Sequence, residues 1–272
     1  MDLKSELTGY AKNNGASAVG FAGVQRFANA PKGHRPIDFI PEARTVICMG
    51  VSLPARLVDW EGLMANSDII PNDEVRWEVE SSHWYGRVGY EAINIRLEQL
   101  GLLMSIYLEE RGYTSLSFPA TYASHAGIMQ KIPGYFAPFS HRHAAVLSGL
   151  GEFGFNNLVV TPKFGPRIRF MSVVTTAEIE QDSLQETPIC LGEKCLACVK
   201  ACGLPEQNLH AISPKASRAD GIFIDMPSEV DKSACFHKYG GKAHCWGKCM
   251  AACPVGNDVK AADKTVQIKN QF

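Results

Sequence analysis

Between Cys190 and Cys253 the chain places eight of its nine cysteines. They fall in two groups of four, Cys190-x4-Cys195-x2-Cys198-x3-Cys202 and Cys235-x9-Cys245-x3-Cys249-x3-Cys253-Pro254. No other feature limits the fold so strongly, because thiols this dense are gathered by a metal or by bonds to one another. The x2 and x3 spacings put sulfurs on one side of a turn or short helix. Eight thiolates are what two [4Fe–4S] clusters require, one cysteine per iron, and in two-cluster bacterial ferredoxins the fourth cysteine of a run serves the other cluster. Structural zinc also takes four cysteines, usually on repeated C-x2-C pairs, of which Cys195/Cys198 is the single example here. Disulfides suit an oxidising compartment, for which nothing in the chain argues. Two clusters are the reading the spacing favours, with zinc and disulfides as the alternatives it leaves open.

The chain has 272 residues, 46 % hydrophobic and 20 % charged, enough for one large core or a core with a small appendage. A net charge of -1 advertises no basic field for nucleic acid. The start, Met1-Asp2-Leu3-Lys4-Ser5-Glu6, is polar, and no apolar stretch reaches the length of a membrane span. A cytoplasmic protein without membrane partners is expected, in an anaerobic or strongly reducing cell if its thiolates hold iron.

Upstream of the cysteines the periodicities predict a helix over 2–14, buried strands over 18–24 and 45–51, and a long helix over 90–110 closed by Gly112. Cys48, alone in the second strand, reads as a small core hydrophobe. Residues 55–86 are mixed and aromatic-rich, with Trp60, Trp77, His83, Trp84 and Tyr85, suited to covering a flat ligand or capping a core. A short strand over 113–118 and a helix within 140–150 follow. Leu158–Thr161 and Ile168–Thr175 read as a hairpin joined by Pro162-Lys163-Phe164-Gly165-Pro166. The polar stretch Glu180-Gln181-Asp182-Ser183 reads as a domain boundary, and the lysine-bearing tail beyond Asn257 as solvated.

The stretch His143–Thr161, with Gly149-Leu150-Gly151, Gly154 and Asn156, followed by Phe164–Glu178 and the cysteine order, carries a resemblance. It resembles the segment before the double-cluster domain of epoxyqueuosine reductases and, more distantly, of corrinoid reductive dehalogenases. The resemblance implies an α+β fold: a core like nitroreductase-related cobalamin-binding domains over 1–182, a ferredoxin-like double-cluster domain over 183–258, and a polar tail over 259–272. It implies one [4Fe–4S] cluster on Cys190, Cys195, Cys198 and Cys253, and another on Cys202, Cys235, Cys245 and Cys249. A cobalamin between the domains would take the electrons, with an external donor of the ferredoxin or flavodoxin type and a small-molecule substrate.

This chain departs from the pattern in five places. The first gap is x4 rather than x2, Gly203 follows Cys202 where proline is usual, and Cys245-x3-Cys249 is one residue long. Where epoxyqueuosine reductases carry a proton-donating aspartate, Gly134-Tyr135-Phe136-Ala137-Pro138 offers Tyr135, which resembles the tyrosine donor of reductive dehalogenases. The chain stops soon after the second cysteine group, without the helical-repeat extension used with tRNA, so tRNA is not expected as a partner.

The residues themselves leave alternatives open. Tyr135 is a proton donor or a core aromatic. His141 and Arg142, with His143, bind an anion or corrinoid amides, or start a helix. Gly149, Leu150, Gly151, Gly154 and Asn156 approach a planar macrocycle, or form a tight turn before a hairpin. The expected function is an iron–sulfur oxidoreductase that reduces a small molecule through a corrinoid. The alternative is an electron-transfer protein serving a partner enzyme.

Overall fold

The computed structural model of the chain describes residues 2–121, 137–202, 212–214, 228–230, 235 and 247–256. Tyr135 and Cys245, with His125, Lys131, His237 and His244, lie outside the described residues.

Helix α1 (Leu3–Asn13) begins where the Asp2 carboxylate accepts from the Ser5 backbone N–H at 2.8 Å. It leads into strand β1 (Ala18–Gly23), which pairs with β2 (Thr45–Ser52). Strand β2 pairs in turn with β6 (Ile168–Thr175), and β6 with the short β3 (Ser115–Ser117). The sheet order is β1-β2-β6-β3, and each neighbouring pair is antiparallel. All of β2 except Ser52 is buried, because helices cover both sheet faces. Val46 and Cys48 face one core with Ala144, Ala145 and Leu147 of α4 (His141–Leu147). Their neighbours Ile47, Met49 and Val51 face the other, with Leu7 of α1 and Leu97, Leu100, Met104 and Leu108 of α3 (Ile93–Glu109). Side chains alternate across a strand, so one apolar run serves two cores. Gly101 lets α3 lie close on β6, since a Cβ there would strike the Met171 methyl.

Helix α2 (Asp73–Glu80) runs through the π-helical segment Ser81–Ala92 into α3, so the chain is helical from Asp73 to Glu109. The expected mixed stretch therefore ends in a helix that starts well before residue 90. Wider π turns shift successive side chains off the 3.6-residue face, which hides the segment from a periodicity search. The aromatic residues cap a core: Trp60 and Tyr85 are buried with Leu53, Val58 and Met250, and Trp77 packs on them.

The expected hairpin is replaced by a different pairing. Strand β4 (Glu152–Phe153) pairs with β5 (Val159–Val160), and β6 joins the central sheet instead. The physical reason is a tighter turn upstream, where Asn157 adopts φ 57° and its N–H donates to the Gly154 carbonyl at 2.9 Å. The expected boundary is also bound to the core. Asp182 and Phe21 exchange backbone and side-chain hydrogen bonds at 2.9 Å, and Lys4 pairs with Asp182 at 2.7 Å. Backbone pairing of β7 (Ile212–Pro214) with β8 (Ser228–Val230) completes a mixed helix-and-sheet protein, the α+β class in its coarse form. Among the described residues no helix is long and apolar enough to cross a membrane.

Candidate metal centre

The β4–β5 hairpin is the platform for the first cysteine. Asn156 Oδ1 accepts from the Leu158 N–H at 3.1 Å, and the Gly154 N–H donates to the Leu158 carbonyl at 2.9 Å. A Cβ at Gly154 would stand 2.6 Å from Val160 Cγ2, so the bare backbone lets the hairpin close on Val160, with Cys190 Sγ beside it. Glu152 Oε1 accepts from the Ile189 and Cys190 N–H groups at 2.7 and 2.6 Å, which fixes the chain at Cys190. Gly192 (φ 63°) and Leu196 (φ 48°) then turn it left-handed. For a leucine that conformation costs about 1–2 kcal/mol, so the turn is held by its surroundings. Helix α5 (Ala197–Ala201) carries Cys198 and ends at Cys202.

The second arm starts at Gly247 (φ 85°) and forms α6 (Lys248–Ala251), which carries Cys249 and leads to Cys253. A Cβ on Gly247 would touch the Tyr85 ring at 3.4 Å, so the aromatic core seats this arm. Arg167, 3 % exposed, holds its far end. Its Nη1 donates to the Met250 and Cys253 carbonyls at 3.4 and 3.2 Å, and its Nη2 donates to the Val255 carbonyl. Gly165 and Gly256 meet so closely that a Cβ on Gly256 would lie 2.5 Å from the Gly165 nitrogen.

The two arms enclose a cavity of about 340 Å³ including its mouth, lined by Cys190, Cys195, Cys198 and Cys253 with Phe155, Asn156 and Pro254. Burial, then the nearby Cys190 and Cys253 thiols, push the Cys198 thiol up to about 11. Burial also raises Cys253, against the lowering effect of the Val255 backbone and the Arg167 charge. Among the described residues no three cysteine, histidine or acidic side chains converge as a single metal ion requires.

Cys202, Cys235 and Cys249 pack in a second group with Val199 and Val230. Arg142 reaches toward it from α4: its charge interacts with Cys235, while Nη1 donates to the Asn157 carbonyl at 2.5 Å and to Asn157 Oδ1.

The residues expected around a corrinoid are occupied by the protein. A Cβ on Gly149 would strike the Ser183 carbonyl, and one on Gly151 the Val160 carbonyl. Leu150 packs against Gly20, and Asn156 lines the cysteine cavity. His141 Nε2 contacts the Pro119 carbonyl at 2.8 Å and Nδ1 contacts Ser172 Oγ at 3.0 Å. Burial, against the raising effect of the Pro119 hydrogen bond and with a smaller push from the Arg169 charge, holds its pKa down at about 4. His143 lies at 2.7 Å from Ser140 Oγ and against the edge of Phe153. These contacts account for the residues without a ligand. Sequence reasoning missed Glu152 and Arg167. The available signal for the latter was a charge between Gly165-Pro166 and an apolar β-prone run.

No family model matches the chain. Over 142 residues, 47 % of the chain and 25 % of the relative, it is 30 % identical to a tetrachloroethene reductive dehalogenase of Desulfitobacterium hafniense. In fold it is similar to epoxyqueuosine reductase, with a TM-score of 0.57 at 16 % identity over 94 % of this chain and 66 % of that one. The same enzyme with a tRNA stem loop gives 0.51 at 16 % identity, covering 86 % and 56 %. A reductive dehalogenase studied for B12-dependent dehalogenation gives 0.56 at 16 % identity, covering 96 % of this chain and 36 % of that one. The chain thus spans a quarter of the curated relative's length. The resemblance carried by the motifs holds: to reductive dehalogenases in sequence, and to both groups in fold.

Proposed function

We propose, for a chain that shares its fold with epoxyqueuosine reductases and reductive dehalogenases, an iron–sulfur reductase carrying two [4Fe–4S] clusters. The first cluster is held by Cys190, Cys195, Cys198 and Cys253, the second by Cys202, Cys235, Cys245 and Cys249. Residues 1–182 serve as the core and 183–258 as the cluster domain. The observation that carries the reading is Cys253: it lies far along the sequence from the other three, yet lines the same cavity. When bound, such clusters supply one-electron transfer at potentials set by charge, hydrogen bonding and burial. The chain's own residues shape the site. Glu152 fixes Cys190, and Phe155 and Pro254 keep the cavity wall apolar.

Crossed ligands give a grouping test. In anaerobically prepared protein, C253A and C249A are each expected to lose about half the iron, since each cluster is bound by four cysteines. Adding C198A to C253A loses little more, whereas C249A with C253A loses nearly all. If C249A and C253A together lose only half, the ligands group by sequence and the crossed assignment fails.

The electron acceptor divides the reading in two. A corrinoid within this chain, with Tyr135 as proton donor and a small-molecule substrate, has the support of the motif resemblance and of the B12-dependent relative. Among the described residues Gly149 and Gly151 pack against backbone carbonyls and His141 is bonded on both nitrogens, while Tyr135 lies outside the described residues. No step is derived through it. The second reading is an electron-transfer protein serving a partner enzyme. Cobalt analysis after anaerobic incubation with excess cobalamin separates them: one cobalt per chain selects the corrinoid reductase, and none selects the carrier.

A further inference from the structure

Arg167 is a buried cation whose hydrogen bonds, among the described residues, all go to carbonyls. Only 3 % of it is exposed, and among the described residues it has no carboxylate partner. Its guanidinium donates to three carbonyls, of Met250, Cys253 and Val255. Carbonyls satisfy hydrogen bonds but leave the charge uncompensated, and an uncompensated buried charge is costly. It stands behind Cys253, outside the cavity that the four thiols line. Capping those carbonyls explains three donors. It does not explain why the group is charged, since a neutral amide side chain also donates.

We infer that Arg167 is the fixed counter-charge of the cluster held by Cys190, Cys195, Cys198 and Cys253, and that it raises that cluster's reduction potential. This rests on the cluster reading above. On taking one electron a thiolate-bound cluster gains one negative charge, with no bond made or broken. A fixed cation behind one ligand stabilises the reduced form more than the oxidised form, and burial weakens solvent screening of that attraction. The electron comes from an external one-electron donor of ferredoxin or flavodoxin type. Arg167 is a positioning and tuning residue: it touches the Cys253 backbone, while the cluster lies beyond that residue. The consequence is a cluster beside Arg167 that is easier to reduce than it would be without that charge. The other set has Arg142, whose Nη1 is tied to Asn157 and whose charge interacts with Cys235.

The test is an anaerobic redox titration of the holoprotein followed by electron paramagnetic resonance, on wild type, R167Q, R167K and R142Q. R167Q keeps a donor for the carbonyls and removes the charge, whereas R167K keeps the charge and changes the geometry. At a fixed potential, R167Q is expected to lower the reduced-to-oxidised ratio of one centre about tenfold, equivalent to about 59 mV for one electron. R167K stays within about threefold of wild type, and R142Q leaves that centre within about twofold. Equal effects of R167Q and R167K, or no shift in R167Q, overturn the counter-charge and leave a carbonyl clamp. Wild type without clusters fails the reading beneath it, a result the iron content reports before any titration.

Discussion

His141 Nε2 faces the Pro119 carbonyl, which only accepts, so this nitrogen carries the proton and Nδ1 accepts from Ser172 Oγ–H. Protonating the ring charges a buried group, which is why its pKa falls from 6.5 to about 4. The folded pKa is depressed below the unfolded one, so for this base the stability is complete above about pH 6.5 and is lost as pH falls toward 4. H141Q retains a donor and an acceptor but does not titrate. Urea unfolding at pH 7, 6 and 5 should show wild type losing on the order of 2 kcal/mol more than the variant over that range. Parallel losses would contradict it. From sequence, His141 read as part of a basic triplet, because charge at pH 7 was assigned from residue type. Burial, which sequence does not report at one position, decides otherwise. The glycines pose the same difficulty: Gly149 and Gly151 signal close approach, but the approaching groups are the Ser183 and Val160 carbonyls, distant in sequence or across a turn.

Elements were legible where their period was regular. β1, β2 and α3 announce themselves by apolar runs or helical spacing, and the structure has them within a few residues of expectation. The π-helical Ser81–Ala92 segment was not legible, and neither was the β4–β5 pairing, which depends on one left-handed asparagine. Those two elements do much of the positioning. Tyr85, 1 % exposed, packs with Trp60 and Met250 and lies beneath Gly247, so a helix of the core supports the arm bearing Cys249 and Cys253. Y85A is expected to cost about 3 kcal/mol in unfolding free energy, as large aromatic truncations in cores do. It should also speed alkylation of Cys253 in the metal-free chain, because the arm loosens. A loss below about 1 kcal/mol with unchanged alkylation would show that the aromatic core does not hold the arm.

At the scale of the whole molecule, the cysteine stretch is bound to the core rather than appended to it. Asp182 ties the approach to β1, Glu152 ties Cys190 to the β4–β5 hairpin, and Arg167 ties the far arm to the start of β6. The spacing of eight cysteines made a metal centre legible from sequence, and the motif resemblance supplied the crossed grouping. How the arms are braced required the fold. Both the proposed function and the Arg167 counter-charge depend on what the cysteines hold. The most direct measurement is therefore iron, acid-labile sulfide and zinc per chain in protein made and purified without oxygen. Two [4Fe–4S] clusters predict about eight irons and eight sulfides per chain with negligible zinc. About two zincs and no sulfide would contradict the account.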